Sequence, residues 1–302
     1  MSRLNSATYE CYKKAGAIAK KVKDFARGLI EIDRPILEIA DKIESKIVQY
    51  GGGLAFPTNI SINNIAAHYT PFKNDTIVLH AEDVVKIDIG VHVNGYIADT
   101  AFTVYLGNNI MQERLVRASE EALQRAIECV KPGVRVNEIG KQIEKAIVEY
   151  GFKPIRNLTG HSLDQWNLHS GVTIPNVHQN VGVPLSEGDV VAIEPFATDG
   201  YGSIRDSDFG SIYKLVKERP TRFLQAKQMI EFISKSYKTL PFAKRWVERD
   251  LKIEKMDYFF KLLTSQGILH LFKAFVEQQN GLVSQAEDTV IVTSDGAEVT
   301  TS

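Results

Sequence analysis

Apolar and polar positions alternate with a period of two from Val84 to Leu106, in the run VVKIDIGVHVNGYIADTAFTVYL. That period predicts a half-buried strand pair rather than a helix. Val85, Ile87, Ile89 and Val91 hold one phase; Val84, Lys86, Asp88 and Gly90 hold the other. Asn94-Gly95 divides the run, and both residue types accept the positive φ of a type I′ turn. With that turn, Val93 faces Tyr96, Gly90 faces Asp99 and Asp88 faces Ala101. Asp88 and Asp99 then share a sheet face as diagonal neighbours, with Cα atoms roughly 7–8 Å apart, and Gly90 leaves an open space opposite Asp99. Two such carboxylates are costly unless a positive charge sits between them. The hairpin alone is compatible with a metal-holding pair and with two unrelated aspartates on a solvated strand face.

Elsewhere the apolar spacing is three-four, the helical period. It predicts helices over residues 3–29, 35–50, 111–131 and 135–150. Gly51-Gly52-Gly53 has no Lys-Ser/Thr after it, so it reads as a helix stop rather than a phosphate cradle. The pattern repeats once. EIADKIESKIVQYG from Glu38 returns as EIGKQIEKAIVEYG from Glu138, and EDVVKIDIGVHVNGY from Glu82 returns as EGDVVAIEPFATDGY from Glu187. The second match sets Asp88 against Glu194 and, after a one-residue shift, Asn94-Gly95-Tyr96 against Asp199-Gly200-Tyr201. A single repeat signals two related halves rather than a solenoid. Each half is expected to be two helices followed by a strand hairpin that offers a carboxylate, the carboxylates meeting in a shared cleft.

Residues 211–280 break the repeat with a basic, helix-rich stretch, read as a helical insertion into the second half of a single catalytic domain spanning 1–302. The chain closes with a strand from Thr289 to Thr293, a second type I′ signal at Asp295-Gly296, and a return strand to Thr300. Composition narrows the function classes. Apolar residues make up 44% and charged residues 24% of the 302 positions, with a formal net charge of −1. No overall field draws this chain to nucleic acid or an acidic membrane, and no window has the ~18 apolar residues of a membrane span. Cys11 and Cys129 fit a reduced, cytoplasmic setting without a disulfide framework.

Five residues stand out in order: Asp88, Asp99, His161 in TGHS, Glu194 in AIEPF and Glu287 in QAEDT. Together with KIDIGVHVNGYIADTA and IEPFAT, this set resembles the methionine aminopeptidases, and the likeness runs from about residue 3 to the carboxyl end. The 93 positions between Glu194 and Glu287 and the SINNIAAHYTP run resemble the type 2 branch, in its archaeal form. The resemblance implies an α+β pita-bread fold of the creatinase/aminopeptidase kind, with a pseudo-twofold repeat. It implies two divalent ions (Co, Mn, Fe, Ni or Zn) on those five ligands, with Asp99 and Glu287 bridging, Asp88 chelating one ion, and His161 with Glu194 completing the other. Glu194 is also the expected proton shuttle. His68 and His169 match the family's substrate-contacting histidines, and Phe56 is expected in the methionine pocket. His80, His92, His178 and His270 read as surface or structural. The family usually has His after the last glutamate, where this chain has Asp288.

The implied activity is removal of the initiator methionine from nascent chains with a small second residue, by a cytoplasmic monomer; the N termini of nascent polypeptides, and the ribosome that carries them, are the implied partners, with no membrane and no specific nucleic acid. Two alternatives belong beside it: an Xaa-Pro peptidase on the same fold, and a non-catalytic relative that binds RNA or ribosomes. The first usually carries a separate amino-terminal domain, and the second loses metal ligands.

Overall fold

The computed structural model describes residues 4–302; Arg3, where the first helix was expected to begin, lies outside them. In the first half the helical stripes become α1 (Ser6–Arg27) and α2 (Ile36–Gln49), followed by β1 (Gly53–Leu54), β2 (Asn59–Ile62), β3 (Ile65–Ala67), β4 (Val84–Val93) and β5 (Tyr96–Tyr105). Asn5 caps α1 by accepting from the Thr8 N–H at 2.8 Å. The second half repeats the order with α3 (Ile110–Cys129), α4 (Val136–Glu149), β6 (Lys153–Pro154), β7 (Thr159–Ser162), β8 (Thr173–Pro175), β9 (Val190–Ile193) and β10 (Phe196–Thr198).

Each half owns a core. Ile39, Ile43 and Ile47 of α2 meet Val85, Ile87, Ile89 and Val91 beneath β4. Ile139, Ile143 and Ile147 of α4 meet Val191 and Ile193 beneath β9. Burial of each such side chain contributes about 1.5–3 kcal/mol, which is why the repeat is written most strongly in those positions. This is the α+β arrangement of two related halves that the sequence pattern implied.

The β4–β5 register is the one the turn predicts: Val93 pairs with Tyr96, Gly90 with Asp99 and Asp88 with Ala101. Asn94 and Gly95 both have positive φ, 53° and 86°. The space expected opposite Asp99 is filled, however. A Cβ on Gly90 would lie 2.2 Å from the Phe56 ring, so the glycine admits an aromatic wall rather than a void.

The second half departs from a simple hairpin. β9 and β10 do not pair with each other; the strand breaks at Glu194-Pro195, where proline lacks the N–H a continuous ladder needs. β10 pairs with β16 (Val283–Gln285), and β9 with β17 (Asp288–Val292). Between β10 and β16 come β11 (Ile204–Asp206), β12 (Ile212–Leu215), α5 (Leu224–Tyr237), β13 (Phe242–Ala243), α6 (Lys244–Asp250), α7 (Met256–Ser265), β14 (Leu269–Phe272) and β15 (Phe275–Glu277). The stretch expected to be helical is therefore mixed: β12 runs between β13 and β14, and this small sheet shares a core with α5, α6 and α7 through Tyr213, Phe242, Trp246 and Phe260. The helical period of α5 and α7 masked the short strands. At the carboxyl end β17 pairs with β18 (Ala297–Val299). That turn is not type I′, because neither Asp295 nor Gly296 has positive φ; the longer Thr293–Gly296 loop closes through its own hydrogen bonds instead.

Backbone and side-chain hydrogen bonds join the halves. Ala101 and Glu287 exchange backbone hydrogen bonds of 3.1 and 3.0 Å, and Thr103 on β5 accepts from the Gln285 N–H at 2.9 Å while donating to the Gln285 carbonyl at 2.6 Å.

Candidate metal centre

The cavity between the halves is small, about 50 Å³, and Phe56, His68, Asp88, Asp99, His161, His169, Glu194 and Glu287 all line it. β4 and β5 present Asp88 and Asp99 from one side; Glu194 and Glu287 come from the two strand breaks on the other. His161 sits on β7, paired with Ala192 of β9. Its Nε2 lies 3.7 Å from Asp99 Oδ2 and 3.6 Å from Glu194 Oε1. Single ligand atoms of Asp99, His161 and Glu287 fall within 4.8 Å of one another.

The electrostatics are those of a site built for cations. Asp88 is raised to about 6, first by desolvation. Asp99, Glu194 and Glu287 are pushed well up by burial first; the charge of Asp88 then raises all three, and that of Glu194 raises Asp99 and Glu287. Burial pulls His161 down to about 3 and His68 to about 4, keeping both imidazoles neutral. His169 is also lowered, by desolvation and then by Lys214. No lysine or arginine lines the cavity, and the buried Asp88 Oδ1 and Asp99 Oδ1 have no hydrogen-bond partner. Four crowded carboxyls, two orphaned oxygens and a neutral imidazole fit two divalent ions, whose +4 charge balances four carboxylates.

Outer contacts fix the carboxyls, and these the sequence reading missed. Asn59 Nδ2 donates to Asp88 Oδ2 at 3.1 Å, and Gln285 Nε2 to Glu287 Oε2 at 3.2 Å. Thr289 Oγ1 accepts from the Asp99 N–H at 2.7 Å. An amide two positions before Glu287 was the available signal; Asn59 becomes visible only once β2 is known to pair with β4. Asp288 points away from the cavity chemistry. Its Oδ1 accepts from Thr100 Oγ1 at 3.0 Å, Thr301 Oγ1 at 2.8 Å and Lys23 Nζ at 2.8 Å, so the family's usual histidine is replaced on the side that faces α1.

His68 follows β3 with φ of 63°, its ring 4.4 Å from Phe275 and 5.7 Å from Phe272. The loop beyond it is clamped by the inserted segment. Arg245 Nη1 donates to Thr70 Oγ1 at 2.8 Å and to the Pro71 carbonyl at 3.1 Å, while its Nη2 pairs with Glu44 of α2. The same Glu44 carboxylate accepts from Trp246 Nε1 at 2.8 Å and from the Thr58 N–H at 3.2 Å. His169 stands at the exposed mouth, 4.4 Å from the His161 ring.

The model of metallopeptidase family M24 matches residues 10–294. The chain belongs to metallopeptidase family M24. This M24 chain is 46% identical to a methionine aminopeptidase of Methanocaldococcus jannaschii over 293 residues, 97% of this chain and 98% of that one. It is 45% identical to a methionine aminopeptidase of Pyrococcus horikoshii over 289 residues, 95% of this chain and 97% of that one. Among solved structures, the methionine aminopeptidase of Thermotoga maritima superposes with a TM-score of 0.74 at 21% identity, covering 100% of this chain and 99% of that one. That likeness carries the fold, the pita-bread arrangement the sequence implied. No helix among the described residues of this M24 chain is long and apolar enough to cross a membrane.

Proposed function

We propose that the protein is a metal-dependent aminopeptidase that removes the N-terminal methionine from nascent proteins whose second residue is small. The observation that carries this reading is the convergence of four buried carboxyls and one neutral imidazole on a cavity whose back wall is Phe56. In this reading Asp88, Asp99, His161, Glu194 and Glu287 would hold two divalent ions. Such ions, when bound, acidify a water and polarise the scissile carbonyl.

The chain's own groups do the rest. Phe56, packed into the notch at Gly90, offers an apolar face to the methionine side chain. His169, kept neutral, can offer a ring N–H to the substrate backbone and to the oxygen that gains charge, while His68, whose ring N–H goes to the Lys273 backbone, presents its unpartnered Nδ1 as an acceptor for a substrate N–H. Glu194, raised by burial and by Asp88, can hold a proton on a carboxyl oxygen and return it to the departing amine. Phe272 and Pro241 narrow the cavity, which favours a small second residue.

The reading extends to setting and organisation: a cytoplasmic monomer acting where N termini emerge, with the ribosome as a candidate partner, built as one catalytic domain over 1–302 with 211–280 inserted. The pairing of β10 with β16 on either side of that segment supports the insertion. The deciding experiment compares Met-Ala-Ser with an Ala-Pro peptide after addition of Mn or Co. Rapid release of methionine supports the proposal; preference for the proline peptide rejects it. A protein that stays metal-free and binds RNA in a salt-sensitive way would point to the non-catalytic alternative.

A further inference from the structure

The Phe272 ring walls the catalytic cavity on one side and a second, open groove of about 640 Å³ on the other. Trp166, Asn167, Lys214, Thr239 and His270 line that groove, and no aspartate or glutamate does. Lys214 and His270 are cross-strand partners on β12 and β14. Lys214 is half-buried, and desolvation alone acts on its ammonium, with no carboxylate near enough to oppose it. The Lys238 ammonium lies 3.8 Å over the ring of Trp166, which lines the groove. The groove thus carries an unopposed ammonium and shares its Phe272 wall with the reaction site.

An unpaired, partly desolvated ammonium costs stability unless something anionic visits it. A peptide whose first residue enters the 50 Å³ cavity gains ~3.3 Å per residue when extended beyond it, and the groove is the neighbouring hollow that shares the Phe272 wall. Charge complementarity at such a rim acts on encounter and binding more than on chemistry.

We propose that this groove carries the substrate chain beyond its second residue, and that Lys214 and His270 select N termini with an acidic side chain there. The proposal rests on the aminopeptidase reading above. Its test uses three substrates: Met-Ala-Ser-Glu-Ser-Glu, Met-Ala-Ser-Lys-Ser-Lys, and Met-Ala-amide, which is too short to reach the groove. The metal-loaded enzyme should favour the acidic peptide by roughly fivefold in kcat/KM, through KM, and the preference should shrink in about 0.5 M salt. Lys214→Gln should flatten the preference, Lys214→Glu should invert it, and His270→Ala should weaken it, all with Met-Ala-amide turnover unchanged. Equal kcat/KM for the two long peptides in the wild type, or an unaltered preference in Lys214→Glu, would overturn the assignment. If none of the three substrates is cleaved, the aminopeptidase reading falls and takes this proposal with it.

Discussion

The two halves of the molecule solve the same problem by different means. The first presents Asp88 and Asp99 from one unbroken hairpin, eleven positions apart in the chain. The second presents Glu194 and Glu287 from two broken strands, with the inserted segment between them. In the first half a two-residue turn sets the geometry locally. In the second, long-range pairing sets it: β9 with β17, β10 with β16, and the Ala101–Glu287 bridge back to the first half. Closing a long loop costs more chain entropy than closing a short one, so the second pair of carboxylates depends on its neighbours for placement. The insertion returns the support by crossing over, since Arg245 clamps the loop after His68, which belongs to the first half.

The sharpest way to break this picture is His161→Ala, which removes the one imidazole between Asp99 and Glu194. Activity should fall by more than the ~100-fold that outer-sphere partners are worth, and bound metal measured by mass spectrometry should drop, with the circular dichroism spectrum retained. Next is Arg245→Ala. Leaving Glu44 buried without its partner should cost about 3–5 kcal/mol in denaturant unfolding, and turnover at saturating metal should fall as the His68 loop loosens. An intact turnover would mean that the first half holds that loop unaided.

A third test is pH. The carboxyls of Asp88, Asp99, Glu194 and Glu287 are raised in the folded state, so the metal-free native protein binds more protons than the unfolded chain. Stability is then complete below the unfolded carboxyl range and is lost as pH rises through the folded values. For Asp88 that window runs from about 4 to about 6 and is worth roughly 3 kcal/mol. The melting temperature of the metal-stripped protein should fall between about pH 4 and about pH 7, and added Mn should raise it more at the upper end. A rising melting temperature would show that the carboxyls are not crowded without metal. The smallest effect compares the halves directly. Asn59→Ala and Gln285→Ala each remove one amide from one carboxylate, and each should lower metal affinity about 10–100-fold. Unequal losses in a metal titration would show that one half carries more of the grip.

How far the sequence speaks follows the same division. The register of β4 and β5 could be read because Asn94-Gly95 and a period of two act over short distances. The five candidate ligands and the two cavity histidines could be named because their local motifs resemble a known set. The long-range features could not. Pro195 after Glu194 was a visible sign that β9 would stop, but nothing local says that β17 takes the place beside it. The short alternation of SIYKL was overshadowed by the helical stripes on either side. The filling of the Gly90 notch by Phe56 needs two segments at once, and so do the amides of Asn59 and Gln285. The Asp295-Gly296 signal failed for the opposite reason, because a dipeptide alone does not fix the length of its loop.

The contact of Lys23 with Asp288 has a practical bearing on how the protein is handled. The residue next to Glu287 is tethered to the penultimate turn of α1, so the first helix and the last strands behave as a clasp. Trimming α1, or straining it with a bulky fusion, would be sensed at the far end of the chain, as slack in the segment that carries Glu287 into the cavity.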